Sequence, residues 1–258
     1  MEITDEAAHP TMSLTSTSLT FTLNPALDTK AAADQFAQGG HTRLTDFLEE
    51  SCAEALWREL RAREDWVQVI NSGDKSFELD RPTRKSFSPE QAKAMDDAVY
   101  AGARSGFQFR YEALRVPDSA KARAKSTDTL ARFATWMSSA PVRALLGAVT
   151  GEGALTFADA QGTAYAPGDF LTAHDDAVAG KRRHAAYVLG LNPAWRAEWG
   201  GLLLLHDAGQ SGRIAVPAFN TLDLIRVGQA HSVSEVTRAA PNRRYAVTGW
   251  VRTGTVPA

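Results

Sequence analysis

The stretch FLTAHDD sets His174 and Asp176 two residues apart, and a second histidine, His231, opens the later run HSVSEV. Two imidazoles and one carboxylate form a facial ligand set that suits a divalent metal such as Fe(II) and leaves three octahedral positions free. On a β-strand, side chains two apart project from one face, so His174 and Asp176 are expected to share a strand face while Asp175 points away. The third ligand, His231, must be brought in from another element. A lone histidine is more often a core or surface residue, and a His-x-Asp triplet arises readily by chance, so the set needs support from elsewhere.

The last apolar run, RYAVTGW, supplies that support. Alternation puts Arg244, Ala246, Thr248 and Trp250 on one face. If that face points inward, a guanidinium is buried near the metal ligands. A buried arginine without a partner is costly, so an anion is expected, and the guanidinium fork suits a carboxylate held by two parallel hydrogen bonds. The plainer reading is a surface ion pair at the mouth of the fold. Arg238, Arg243 and Arg252 compete for the role. Arg243 has the opposite parity, whereas Arg252 shares that of Arg244 but sits further along. Lys181-Arg182-Arg183, before His184, reads as a solvated turn. His206 and Asp207 are adjacent, face opposite ways on a strand, and make a poor chelating pair.

These residues need a scaffold that joins distant segments. After Gly153 short apolar or alternating runs follow one another, separated by Gly, Pro, Asn and Asp: 155–159, 162–165, 170–174, 184–191, 201–206, 213–217, 222–227, 231–235 and 244–252. Many short strands at such spacing point to a sandwich or barrel, and a jelly roll with a pocket at one mouth is the economical choice. Before Gly153 the texture is mixed. Strands are expected at 19–23, 66–70 and 77–79, an aromatic–polar alternation at 107–111, and helices at 29–38, 46–63, 127–137 and 141–150. Ser88-Pro89-Glu90-Gln91 is a helix start with a capping serine and a first-turn proline, the helix running to about Ala103. The fold class is therefore α+β: a jelly roll over 153–258, buttressed by helices from 19–152, with 1–18 frayed and Met12 an alternative start.

Composition is that of an ordinary globular chain, 44% hydrophobic and 22% charged, which excludes collagen-like and wholly disordered classes. The net charge of −2 conceals an asymmetry, because from residue 181 onward 10 Lys or Arg stand against 4 Asp or Glu. That basic third fits an anionic ligand or a solvated face. The one cysteine, Cys52, excludes an intramolecular disulfide and reads as a small core residue. With no signal-like start and no long apolar run, a cytoplasmic protein without membrane contact is expected.

Taken in order, GDFLTAHDD (168–176), LGLNPAW (189–195) with GGLLLL (200–205), HSV (231–233) and RYAVTGW (244–250) resemble the Fe(II)/2-oxoglutarate-dependent dioxygenases. Within them the chain is most similar to the prolyl hydroxylase type that includes the ribosomal prolyl hydroxylases and their bacterial relatives. The resemblance covers about residues 160–252 and implies a double-stranded β-helix, the jelly roll reached above. It implies that His174, Asp176 and His231 hold Fe(II) and that Arg244 pairs with the distal carboxylate of 2-oxoglutarate. Tyr165 matches a cosubstrate-contacting tyrosine, and Leu171, Tyr187, Thr248 and Trp250 fall at pocket positions. Tyr187 reads equally well as a cross-strand packing residue, and Trp250 as core. The implied activity consumes O₂ and 2-oxoglutarate, releases succinate and CO₂, and hydroxylates a C–H bond, most simply a proline of a protein or peptide, with ascorbate as an aid in vitro. Nucleic acid is the less favoured substrate, although two inward arginines, Arg244 and Arg252, would suit a demethylase on the same scaffold. The same residues would also serve a small-molecule hydroxylase, or a non-catalytic sensor of iron or 2-oxoglutarate.

Overall fold

The computed structural model describes residues 19–207 and 212–255, so the expectations for 1–18 and Met12 lie outside the described residues. In chain order the elements are α1 (Thr29–Gly39), β1 (His41–Leu44), α2 (Glu50–Ala62), β2 (Val67–Ser72), β3 (Lys75–Asp80), α3 (Arg81–Lys85), α4 (Pro89–Ser105), β4 (Phe109–Arg115), α5 (Ala120–Lys125), α6 (Thr129–Met137) and α7 (Ala140–Thr150). There follow β5 (Leu155–Ala158), β6 (Gln161–Tyr165), β7 (Phe170–His174), β8 (Arg183–Leu191), β9 (Leu203–His206), β10 (Gly212–Ala215), β11 (Phe219–Arg226), β12 (His231–Val233) and β13 (Arg244–Thr253).

All strand pairs are antiparallel, in the order β1-β11-β8-β13-β6-β4-β7-β12-β9-β10, with β2 and β3 added beside β4 and β5 beside β13. β4 joins two layers, because Glu112–Arg115 pair with β6 whereas Phe109 and Arg110 pair with β7. The sheet thus curls into a jelly roll, with β11-β8-β13-β6 as one wall and β7-β12-β9-β10 as the other. The outer side of the first wall is covered by helices. Phe36, Leu56, Leu60, Phe133, Met137 and Leu146 pack with Leu189, Leu191, Leu222, Leu224 and Val247 in one buried cluster. At roughly 25 cal/mol per Å² of apolar surface removed from water, that layer stabilises the fold.

Local chemistry explains the helix boundaries. Ser88 and Gln91 form a reciprocal capping box at the start of α4, as its sequence indicates, and α1 and α7 stop at Gly40 and Gly151 in the left-handed region. Two expectations need correction. The 19–23 run contributes only an isolated bridge between Leu23 and Leu48. The 46–63 helix begins only at Glu50, and β1, which local patterning does not reveal, pairs with β11 just before it. The reason lies far along the chain: the Asn220 side chain accepts from Leu48 N at 2.9 Å and donates to Leu48 O at 2.7 Å, while Phe47 N donates to Asn220 O at 2.9 Å. Those backbone groups cannot also serve a helix. Cys52 is buried, its thiol 3.3 Å from Thr20 O.

Candidate metal and 2-oxoglutarate site

His174 ends β7 and His231 begins β12, and the two are direct cross-strand partners. Each ring is oriented by a backbone carbonyl two residues before it: His174 Nδ1–H donates to Thr172 O at 3.1 Å and His231 Nδ1–H to Gln229 O at 2.8 Å. That leaves both Nε2 lone pairs free, the tautomer a metal requires. Both face Asp176, with His174 Nε2 3.6 Å from Oδ1 and His231 Nε2 3.4 Å from Oδ2. One donor atom from each residue lies within 4.8 Å of the others. Burial, reinforced by neighbouring His174, pushes the His231 imidazole below its usual range and keeps it neutral.

The route by which Asp176 arrives differs from the strand-parity expectation. β7 stops at His174, and Asp176 stands beyond it with φ of 62°. Aspartate tolerates this left-handed conformation better than most residues, yet it still costs energy, as is common at functional sites. The preceding Asp175 stabilises the turn, its carboxylate accepting from Ala177 N at 3.0 Å. The carboxylate is therefore delivered by a turn after the strand.

The three residues open into a cavity of about 400 Å³ that Arg244, Tyr165, Leu171, Thr248 and Trp250 also line. Arg244 is buried, its Nε has no hydrogen-bond partner, and no ion pair to it occurs among the described residues. Burial draws its pKa below the usual guanidinium value, the mark of a cation awaiting an anion. Its guanidinium carbon lies 5.2 Å from the centre of the Tyr165 ring. Burial, and then adjacent Tyr111, push the Tyr165 hydroxyl above its usual range, so it stays a neutral donor. Gly201 makes room for the arginine: a Cβ there would lie 3.0 Å from Arg244 Cδ, and its φ is +63°. An oxygen- and nitrogen-donor set with free positions, beside an unpaired buried cation, fits Fe(II) with a carboxylate-bearing chelator.

The rival arginines are engaged elsewhere. Arg243 pairs with Glu112 at 2.8 Å, Arg252 pairs with Asp159, and Arg238 is exposed. His184 donates to Thr150 O at 3.3 Å, His206 Nε2 lies 2.8 Å from the Ser232 hydroxyl, and Asp207 pairs with Arg213. Tyr187 borders the cavity, but its hydroxyl donates to Asp159 O at 2.7 Å and its ring belongs to the helix-side core. Of the two readings that the sequence leaves open for Tyr187, this geometry supports cross-strand packing.

Arg183 requires a correction. The basic run around it reads as a solvated turn, yet Arg183 lines the cavity, its guanidinium carbon 3.4 Å from the Trp250 ring centre. Its Nη1 donates to Asp176 O at 3.3 Å. Nothing local separates it from Lys181 and Arg182. Phe107, Phe109 and Tyr111 line the same cavity. Their alternation was legible in the sequence, but its destination was not.

Residues 160–252 match the family model described as 2OG-Fe(II) oxygenase superfamily. No curated protein matches the chain. Among solved structures, a prolyl-4-hydroxylase of Pseudomonas putida shares the fold with a TM-score of 0.55 and 20% identity, over 87% of this chain and 98% of that one. A Trichoplax adhaerens prolyl hydroxylase, solved with a hypoxia inducible factor oxygen degradation domain peptide fragment, gives 0.57 and 16% over 87% and 89%. SnoN, a non-heme alpha-ketoglutarate dependent epimerase from nogalamycin biosynthesis, gives 0.53 and 14% over 87% and 83%. The stretch that matches the 2OG-Fe(II) oxygenase model contains His174, Asp176, His231 and Arg244, and the chain shares the jelly-roll fold of these structures.

Proposed function

We propose that the protein is an Fe(II)- and 2-oxoglutarate-dependent dioxygenase that hydroxylates a proline of a protein or peptide. The observation that carries this reading is the convergence of two free imidazole nitrogens and one carboxylate in a cavity that also holds an unpaired arginine. His174, Asp176 and His231 would hold Fe(II), and Arg244 with the neutral Tyr165 hydroxyl would take the distal carboxylate of 2-oxoglutarate. Bound there, the metal would couple O₂ reduction to conversion of 2-oxoglutarate into succinate and CO₂, and so to hydroxylation of a C–H bond. The chain's own part is to bind, orient and keep water out. Leu171, Leu203, Val188 and Val233 give the cavity apolar walls, and Thr248 adds a hydroxyl.

Proline is supported by the cavity mouth and by the likeness to structures named as prolyl hydroxylases. Arg183 stacked on Trp250 gives the cavity a flat cationic and aromatic wall. Half-exposed Phe107 and Val178 at the rim suit flanking apolar side chains. A small-molecule substrate is the second reading, favoured by the fold shared with SnoN. The test is succinate release from 2-oxoglutarate, with Fe(II) and ascorbate, in the presence of proline-containing peptides, read together with a mass gain of one oxygen on proline. Succinate formation that no peptide stimulates would overturn the proline reading. Binding of metal and 2-oxoglutarate with no succinate at all would make the protein a sensor.

A further inference from the structure

Arg244 is the residue on which cosubstrate recognition rests in the reading above, yet among the described residues no carboxylate or carbonyl fixes its guanidinium. A cation held only by packing must owe its aim to what it packs on. Its stem passes Gly201, where a Cβ would lie 3.0 Å from Arg244 Cδ, and its guanidinium lies over the ring of Tyr165. Tyr165 is in turn stacked on Tyr111 of β4, with ring centres 5.1 Å apart and planes inclined by 22°. Tyr111 continues the row Phe107–Phe109, with centres 5.6 Å and 5.8 Å apart at successive steps. The strands make this possible, because β4 pairs Glu112 with Ala164 of β6 while β6 pairs Tyr165 with Arg244 of β13. Three strands therefore present Tyr111, Tyr165 and Arg244 side by side on the cavity face.

We propose that Tyr111 is a positioning residue for 2-oxoglutarate: its ring holds Tyr165, and Tyr165 holds Arg244 in the orientation that receives the distal carboxylate. The proposal rests on the assignment of Arg244 to that carboxylate. The ring, not the hydroxyl, carries the effect, since stacking and cation–π contact both act through the π face. Tyr111 therefore acts on the distal end of the cosubstrate and leaves the metal-chelating end alone.

The experiment uses the full chain loaded with Mn(II), which reports binding without turnover. Affinities for 2-oxoglutarate and for pyruvate, a 2-oxo acid lacking the distal carboxylate, are measured by calorimetry for the wild type, Tyr111→Leu and Tyr111→Phe. Tyr111→Leu is expected to raise the dissociation constant for 2-oxoglutarate about 3- to 10-fold, the loss of one aromatic contact. The values for pyruvate and Mn(II) should stay within about 2-fold, and Tyr111→Phe should bind 2-oxoglutarate as the wild type does. Unchanged 2-oxoglutarate affinity in Tyr111→Leu overturns the proposal. So does equal weakening of both oxo acids, which would place Tyr111 at the chelating end or make it a general packing residue. An effect of Tyr111→Phe as large as that of Tyr111→Leu would assign the role to the hydroxyl instead. If the wild type itself binds 2-oxoglutarate no better than pyruvate, the Arg244 assignment fails first, a result distinguishable from failure at Tyr111 alone.

Discussion

Each candidate ligand is held by something modest: a backbone carbonyl for each histidine and a left-handed turn for Asp176. Partners of this kind commonly tune metal affinity by 10- to 100-fold, so loss of a ligand itself should cost more. Asp176→Ala is expected to weaken Mn(II) or Fe(II) binding by more than about 100-fold, whereas Asp175→Ala, whose carboxylate serves only the turn, should lose far less; calorimetry with either metal checks the pair. Near-equal losses would mean that the ligand identity is wrong. Arg244→Gln should raise the 2-oxoglutarate dissociation constant about 10- to 150-fold while sparing pyruvate, because it removes one or more charge-assisted hydrogen bonds. At this scale the sequence was informative: the inward parity of Arg244, Thr248 and Trp250 holds in the cavity. It was silent on Arg183, because one arginine of a basic run looks like the next until a distant Trp250 singles it out.

The elements are tied together by buried charge as well as by apolar packing. Glu112 on β4 is buried and meets Arg81 at 3.2 Å, Arg243 at 2.8 Å and also Arg84, linking α3 to the start of β13 just beside Arg244. Burial alone would raise its carboxyl, but the hydrogen bonds from Arg81 and the charges of Arg243 and Arg84 win and hold it below its usual range. A depressed acid contributes stability that is present above its unfolded value, near 4.5, and lost as pH falls through the folded one. Glu112→Gln should thus lower stability at neutral pH by about 1–3 kcal/mol, since it strands several guanidiniums, and flatten the loss below pH 4.5. Urea unfolding at several pH values reads both effects; an unchanged acid limb would show that Glu112 does not carry it. Helix starts with a local cap, such as Ser88, were legible in the sequence. The delayed start of α2 was not, because the competitor for its backbone is Asn220, on a strand that the helix sequence does not mention.

For the molecule as a whole, metal and 2-oxoglutarate would bind only where both walls of the jelly roll are closed, since β7 and β12 supply the histidines while β6 and β13 supply Tyr165 and Arg244. Saturating Mn(II) with 2-oxoglutarate at about 100 times its dissociation constant should therefore stabilise the fold by about 2.7 kcal/mol, seen as a rise of roughly 5–10 °C in the melting temperature that a chelator reverses. A melt indifferent to both ligands would contradict a site spanning the two walls. Among the described residues no helix is long and apolar enough to cross a membrane. The chain's own sequence determined the strand-rich second half, the order of the ligands and the inward face of the last strand. Each of these is a pattern of neighbours along the chain, and side-chain alternation reports it directly. Only the tertiary structure decided that a turn delivers Asp176, that Tyr187 faces the helices, and that Arg183, Phe107, Phe109 and Tyr111 reach the cavity. Those outcomes depend on how strands far apart in sequence pair and curl, and no local pattern encodes that register.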